Sequence, residues 1–295
     1  MWILCALASA LCLGFYDVMK KLSVRGNNVL IVLLLNTVFG TLFMMPVIGN
    51  TLAHGSIGFD NSVSAHLLIF IKAVIVLCSW LLGYFAIKHL PLTIQGPINA
   101  SRPVMVLTGA VLIFGESLNW VQWTGIALGF ASLYFISRAG ADEGFSLRSS
   151  RWIWMAIGAA VLGAASSLYD KYLLSLYKPL DVQAWYSLYQ CVLMTCAILT
   201  LRAVYPATAK TAFSWRWSIP MISVFLTVAD LAYFHSLSLD GAMISVVSMI
   251  RRGSVVVPFL YGAFALHESN LKTKGADLAL LMLSLAILVA GSTMD

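Results

Sequence analysis

The chain has 295 residues, of which 60% are hydrophobic and 10% charged, with a formal net charge of +6 and a mean hydropathy of +0.90. Globular domains run near roughly 45–50% apolar and 25% charged, so this surplus of apolar side chains excludes an ordinary water-soluble fold. The basic residues are scattered singly, which excludes a nucleic-acid-binding tract.

Apolar runs long enough to cross a bilayer predict ten spans, at 2–19, 28–48, 66–87, 92–114, 119–137, 153–173, 182–204, 218–238, 242–265 and 275–292. Trp2–Phe15 lacks a basic start and a small-residue cleavage site, so it reads as the first span rather than a leader. Tyr16-Asp17 lies near the end of span 1, followed by Lys20 and Lys21. Span 3 holds Lys72 and Tyr84-Phe85. Span 4 carries Gln95, Asn99 and Arg102 on one helical face, with Pro97 and Pro103. Glu116-Ser117 follows it, and the polar stretch Arg138–Arg151 follows span 5. Span 6 ends near Tyr169-Asp170, and span 8 holds Asp230, Tyr233-Phe234 and His235. Span 9 carries Ser245, Ser248 and Arg252 as a second polar stripe, beside Arg251 and Pro258, and Glu268-Ser269 follows. Longer connections are expected at Gly49–Ala65, Arg138–Trp152 and Tyr205–Trp217. Every tryptophan except Trp80 falls near a predicted span end, where indole favours the interface. Cys5, Cys12, Cys78, Cys191 and Cys196 lie inside apolar runs, odd in number and spaced for neither zinc nor a disulfide framework; they read as small core residues.

The spans repeat. Tyr16-Asp17 matches Tyr169-Asp170, Tyr84-Phe85 matches Tyr233-Phe234, and Glu116-Ser117 matches Glu268-Ser269, at offsets of 153, 149 and 152. Two five-helix halves are therefore expected, 1–140 and 150–295. Five is odd, so the second half sits inverted. The predicted fold is an all-α integral membrane protein of ten transmembrane helices, arranged as two inverted five-helix repeats around a central cavity.

Five-helix repeats whose last hairpins open with Gly115-Glu116-Ser117 and His267-Glu268-Ser269 resemble the EamA-like branch of the drug/metabolite transporter superfamily, over essentially the whole chain. The resemblance implies an alternating-access carrier whose cavity is lined by spans 3, 4, 8 and 9, with contributions from spans 1 and 6. Members carry amino acids, nucleotide sugars, organic phosphates and drugs. Arg251-Arg252, within Ser-Met-Ile-Arg-Arg-Gly-Ser-Val-Val, also resembles the basic pair on the ninth helix of the superfamily's organic-phosphate translocators, with Arg-Arg where those have Lys-Arg.

A charged side chain at a helix centre costs roughly 2.5–3.5 kcal/mol on insertion scales, which makes it a functional candidate. Lys72, Arg102, Arg251 and Arg252 give four positive charges against one from Asp230, a net of three. That surplus calls for an anion, and guanidinium suits carboxylate or phosphate through paired hydrogen bonds. Lys72 alternatively snorkels to the interface. The expected substrate-binding set is Arg102, Arg251, Arg252, Lys72, Gln95, Asn99, Ser248 and Tyr233. Adjacent helical residues point about 100° apart, so one of Arg251 and Arg252 is open to a structural role, such as pairing with Asp230. Asp17, Asp170 and Asp230 are candidates for gating or proton coupling, although Asp17 can also pair locally with Lys20 or Lys21. Glu116 and Glu268 are expected to start the helices of spans 5 and 10.

The function expected is secondary-active transport of a small anionic metabolite such as an organic phosphate or carboxylate. The alternative is an amino-acid or drug/metabolite exporter whose intramembrane arginines are structural. No metal-ligand spacing, activated nucleophile or nucleotide-binding loop points to an enzyme, a cofactor or ATP-driven pumping. The partners expected are a small-molecule substrate, the bilayer, and protons or a counter-substrate, with a homodimer left open. The location expected is the cell (inner) membrane. Twelve of the 18 Lys and Arg fall after odd-numbered spans, which by the positive-inside rule puts both termini outside; the resembled family implies both inside.

Overall fold

The computed structural model describes residues 2–54, 63–102, 104–106, 108–109, 118–141, 150–204, 212–238, 250–268 and 271–292. The long helices are α1 (Trp2–Val24), α2 (Val29–His54), α3 (Val63–His89), α5 (Trp120–Ala141), α6 (Arg151–Leu176), α7 (Pro179–Val204), α8 (Ser218–Ser238) and α10 (Leu271–Ser292). Two shorter helices among the described residues are α4 (Leu92–Ala100) and α9 (Val256–Phe264), the latter entered through a 3-10 turn at Gly253–Val255. No strand occurs among the described residues. Among the described residues, six helical stretches are long and apolar enough to cross a membrane: Trp2–Val24, Val29–Asn50, Val63–His89, Arg151–Asp170, Leu180–Thr200 and Leu271–Gly291.

Local chemistry sets the boundaries. Gly26 adopts a left-handed φ of 64° just past α1, a conformation that costs glycine little. Asn28 then caps α2, its Oδ1 accepting from the amides of Leu30 at 3.1 Å and Ile31 at 3.3 Å. α7 starts on Pro179, whose missing N–H is no loss in a first turn. α2 runs on to His54 and α3 begins at Val63, so the connection expected at Gly49–Ala65 is shorter than the sequence implied.

α1 shows how the helices divide between lipid and protein. Leu4, Leu7, Leu11 and Phe15 form an exposed apolar stripe, while Ala6, Ser9 and Ala10 on the other face are buried. Small residues let membrane helices approach closely. Here they seat α1 along α8, where Ser9 Oγ donates to the Ala229 carbonyl at 2.7 Å. α3 lies along α6 in the same way, with Ser79 Oγ donating to the Ala159 carbonyl at 2.7 Å.

Two further pairs run antiparallel. Val32 and Leu33, early in α2, share a core with Met194 and Ile198, late in α7. Met44 and Ile48, late in α2, pack with Ala184 and Trp185, early in α7. Between α5 and α10, Ser132 Oγ donates to the Asp277 carbonyl at 3.1 Å and Ser284 Oγ to the Gly125 carbonyl at 2.7 Å. α4 packs against α9 in the interior, around Ala100, Val255 and Phe259.

Candidate functional site

The site begins at two interrupted helices. α4 stops at Ala100, and Ser101 occupies a turn (φ −76°, ψ −5°) immediately before Arg102. In the second half Arg252 (φ −71°, ψ −23°) immediately precedes the 3-10 turn at Gly253–Val255. Pro258 explains that turn in part: it has no N–H, so the Ser254 carbonyl loses its ordinary α-helical donor. Each arginine thus sits at a break, 150 residues apart. Each break is approached by a glycine. A Cβ on Gly163 of α6 would lie 2.6 Å from Arg102 Cζ, and one on Gly14 of α1 would lie 2.9 Å from the Ser254 carbonyl oxygen. Only a residue without a side chain leaves that room.

The interior cations fall into two groups. Lys72, buried on α3, pairs with Asp170 of α6 at 2.8 Å and lies 4.7 Å from the centre of the Tyr186 ring. Arg251 pairs with Asp230 of α8, and its guanidinium lies 4.3 Å from the centre of the Tyr233 ring. Lys20 pairs with Asp17 at 2.8 Å and lies near the Tyr16 and Tyr84 rings, at 4.5 and 5.5 Å. Each of these is a carboxylate-paired cation resting on an aromatic face, an arrangement that offsets part of the cost of desolvation. Arg102 and Arg252 differ: among the described residues no carboxylate pairs with either. Arg102 Nε is buried without a hydrogen-bond partner. Arg252 lies within electrostatic reach of Arg102 and Arg251, both of like sign. Counting Asp170 with Asp230, the four intramembrane cations face two carboxylates, so the surplus is two charges rather than the three expected from sequence, and it sits on Arg102 and Arg252.

A cavity opens beside this cluster, between α2, α3, α7 and α8. Asn36, Thr37, Trp80, Gln183, Tyr186, Ser187, Gln190, Ser223 and Thr227 line it, with Gly40, Met44 and Leu226. The space open to the centres of water molecules is about 20 Å³, room for one or two waters. The cavity touches both ion pairs through its walls. Gln183 Nε2 donates to Asp230 Oδ2 at 3.4 Å, and Tyr186 is the ring beneath Lys72.

Residues 1–138 match the EamA-like transporter family. A solved structure, titled only as the crystal structure of a protein, resembles the whole fold with a TM-score of 0.62 at 14% identity, covering 98% of this chain and 97% of the other. No curated protein matches the sequence. With six helices long and apolar enough to span a bilayer, the chain is a multi-pass membrane protein.

Of the residues expected to serve an EamA-like site, the structure gathers Arg102, Arg251, Arg252, Tyr233 and Asp230 around the interrupted helices. Gln95 is buried on α4 with its Oε1 unpartnered, and Asn99 is half-buried on the same helix. Ser248, with Ser245 and Glu116, lies outside the described residues. Lys72 does not snorkel; Asp170, 98 residues away on α6, holds its ammonium inside the bundle. Asp17 keeps its local partner, Lys20. Lys21 instead donates to the carbonyls of Ile87 at 2.8 Å and Leu90 at 2.5 Å, capping the end of α3. Glu268 does not start its own following helix. Its carboxylate accepts from the amides of Leu92 (2.8 Å) and Thr93 (2.9 Å) and from Thr93 Oγ1 (2.5 Å), and so caps α4. The reason is that Pro91, at the N-cap position, offers no side-chain acceptor to that first turn.

These caps belong to a larger latch across one end of the bundle. Arg216 donates to the Leu22 carbonyl at 2.5 Å, and Ser23 Oγ to Ser218 Oγ at 2.7 Å. Asn27 exchanges hydrogen bonds with the Ser214 backbone, and Lys88 donates to the Asn27 carbonyl at 2.9 Å. His267, beside Glu268, holds a left-handed φ of 51°, a conformation that costs an L-residue roughly 1–2 kcal/mol and persists where surrounding contacts enforce it.

Proposed function

We propose that this chain is a secondary-active carrier in which two inverted five-helix halves, 1–140 and 150–295, pass a small anionic metabolite across the cell (inner) membrane by alternating access. The observation that carries the proposal is the pair Arg102 and Arg252. They are two intramembrane guanidiniums at matching helix breaks, without carboxylate partners among the described residues, where three neighbouring cations each have one. Guanidinium groups are costly in hydrocarbon unless paired, and an anion bound between them, such as an organic phosphate or carboxylate, supplies the missing charge.

Support for the inverted halves comes from hydrogen bonds that map onto each other when the halves are exchanged. Ser9 to Ala229 and Ser79 to Ala159 join the same two positions, 150 apart, with donor and acceptor swapped. Ser132 to Asp277 and Ser284 to Gly125 also join equivalent positions, at a spacing of 152, here with the donor serine at the same position in both halves. The antiparallel runs of α2 against α7 and α5 against α10 are what inversion requires of equivalent helices. The latch at one end supports closure of one mouth while the other gives access.

Uptake by proteoliposomes offered a panel of phosphorylated and carboxylated metabolites tests the assignment. Arg102→Gln and Arg252→Gln are each expected to reduce uptake of the transported anion by at least tenfold while the protein still elutes as a folded species. Wild-type uptake by both variants removes these residues from the site.

A further inference from the structure

We infer that the cavity between α2, α3, α7 and α8 is a second binding site, one that takes an uncharged oxygen, a hydroxyl or carbonyl, on the same solute whose anionic group Arg102 and Arg252 hold. The inference rests on the proposed carriage of an anion and adds the chemistry of the solute's other end.

No charged side chain lines the cavity, so a full charge there would lack a counter-charge. Its hydrogen-bonding capacity is nevertheless unbalanced. Asn36 and Gln190 are each only 2% exposed, and Asn36 Nδ2 and Gln190 Nε2 have no hydrogen-bond partner. The neighbouring hydroxyl hydrogens are already donated within the protein. Asn36 Oδ1 accepts from Ser223 Oγ at 2.8 Å, Ser187 Oγ donates to the Gln183 carbonyl at 2.8 Å, and Thr37 Oγ1 donates to the Leu34 carbonyl at 2.7 Å. What remains unpaired is two N–H donors from two helices, α2 and α7, in one cavity. Buried polar groups in native proteins are almost always satisfied, and two donors call for an acceptor. A neutral oxygen answers that need without importing a charge. The free space suits one such group with a water, and Trp80, Tyr186 and Leu226 provide apolar walls for the carbon attached to it.

The cavity is one side chain from the cationic cluster, through Gln183 to Asp230 and Arg251. A solute held at both places therefore spans the junction of the two halves. Selectivity between anions of equal charge then resides in α2 and α7.

The test measures the rise in melting temperature of the purified full chain with glycerol 3-phosphate, methyl phosphate and glycerol as probes. Bound ligand raises that temperature by an amount that grows with the logarithm of its concentration over its dissociation constant, so a concentration series gives the affinity. Wild type is expected to prefer glycerol 3-phosphate over methyl phosphate by at least tenfold. The near-isosteric Gln190→Met and Asn36→Leu are each expected to cut the preference to below twofold with methyl phosphate binding unchanged, whereas Arg102→Gln loses both phosphates. Either variant suffices if the other fails to fold. Equal binding of the two phosphates by wild type, or a preference that survives in the variants, overturns the cavity assignment and leaves the anion site standing. Failure of wild type to bind either phosphate counts against the phosphate form of the anion site, and the glycerol arm then decides: glycerol stabilisation lost in Gln190→Met supports the cavity, and glycerol stabilisation absent or unaltered overturns it.

Discussion

Gly163 faces the Arg102 guanidinium so closely that its hydrogen is what lets the arginine lie at the helix break. A methyl group there would sit 2.6 Å from Cζ and 2.8 Å from Nε, closer than atoms tolerate, and the guanidinium would have to move. Gly163→Ala is therefore expected to lower anion uptake at least tenfold with the protein still folded. Gly83→Ala serves as the control, because its Cβ would make an ordinary 3.6 Å contact with Ala159, and it is expected to transport normally. Lys72 and Asp170 test a different kind of residue effect. Removing one member of a buried ion pair strands the other, at roughly 3–5 kcal/mol for a fully buried pair. Asp170 is about a third exposed, which puts Lys72→Met near the low end, about 3 kcal/mol. Lys72→Met combined with Asp170→Asn is expected to recover most of the lost melting temperature, as a double-mutant cycle would reveal. Single and double variants of equal stability would mean that the pair contributes nothing beyond its packing.

Among the elements, α4 is the one whose start depends on a residue far away in sequence. It follows Pro91, has no side-chain cap of its own, and borrows the Glu268 carboxylate from the turn between α9 and α10. Glu268→Ala leaves two amides and a hydroxyl without their acceptor, which costs about 1–3 kcal/mol for each buried group so stranded. The Leu92 and Thr93 amides are expected to exchange with solvent at least tenfold faster in Glu268→Ala; unchanged protection would show that the latch does not hold this end shut. This element also marks where sequence reasoning reached its limit. The Glu-Ser repeat was visible as a pair of dipeptides, but a carboxylate beside a helix start looks the same whether it serves its own helix or one 176 residues back. The cavity was hidden for a related reason. Asn36, Thr37, Gln183 and Gln190 are a few polar residues inside runs that average out as apolar, and their relation appears only when α2 and α7 are packed. A signal existed, since Asn36-Thr37 and Tyr186-Ser187 are polar pairs 150 apart. The glycines at 14 and 163, 149 apart, were legible in the same way.

Across the described residues, eight of the expected apolar runs, all but 92–114 and 242–265, correspond to long helices because hydrophobic length is a local property that composition states directly. Charge pairing is not local. Sequence placed four cations and one aspartate well inside the spans, with Asp170 near a span end, and the fold brought Asp170 to Lys72, so the surplus contracted onto Arg102 and Arg252. The proposed carriage of an anion stands on those two. Titration of the purified chain with the anion it transports, following the rise in melting temperature in wild type, Arg102→Gln and Arg252→Gln, tests it most directly. The prediction is a concentration-dependent rise in wild type that is lost in both variants. An equal rise in all three proteins would contradict it.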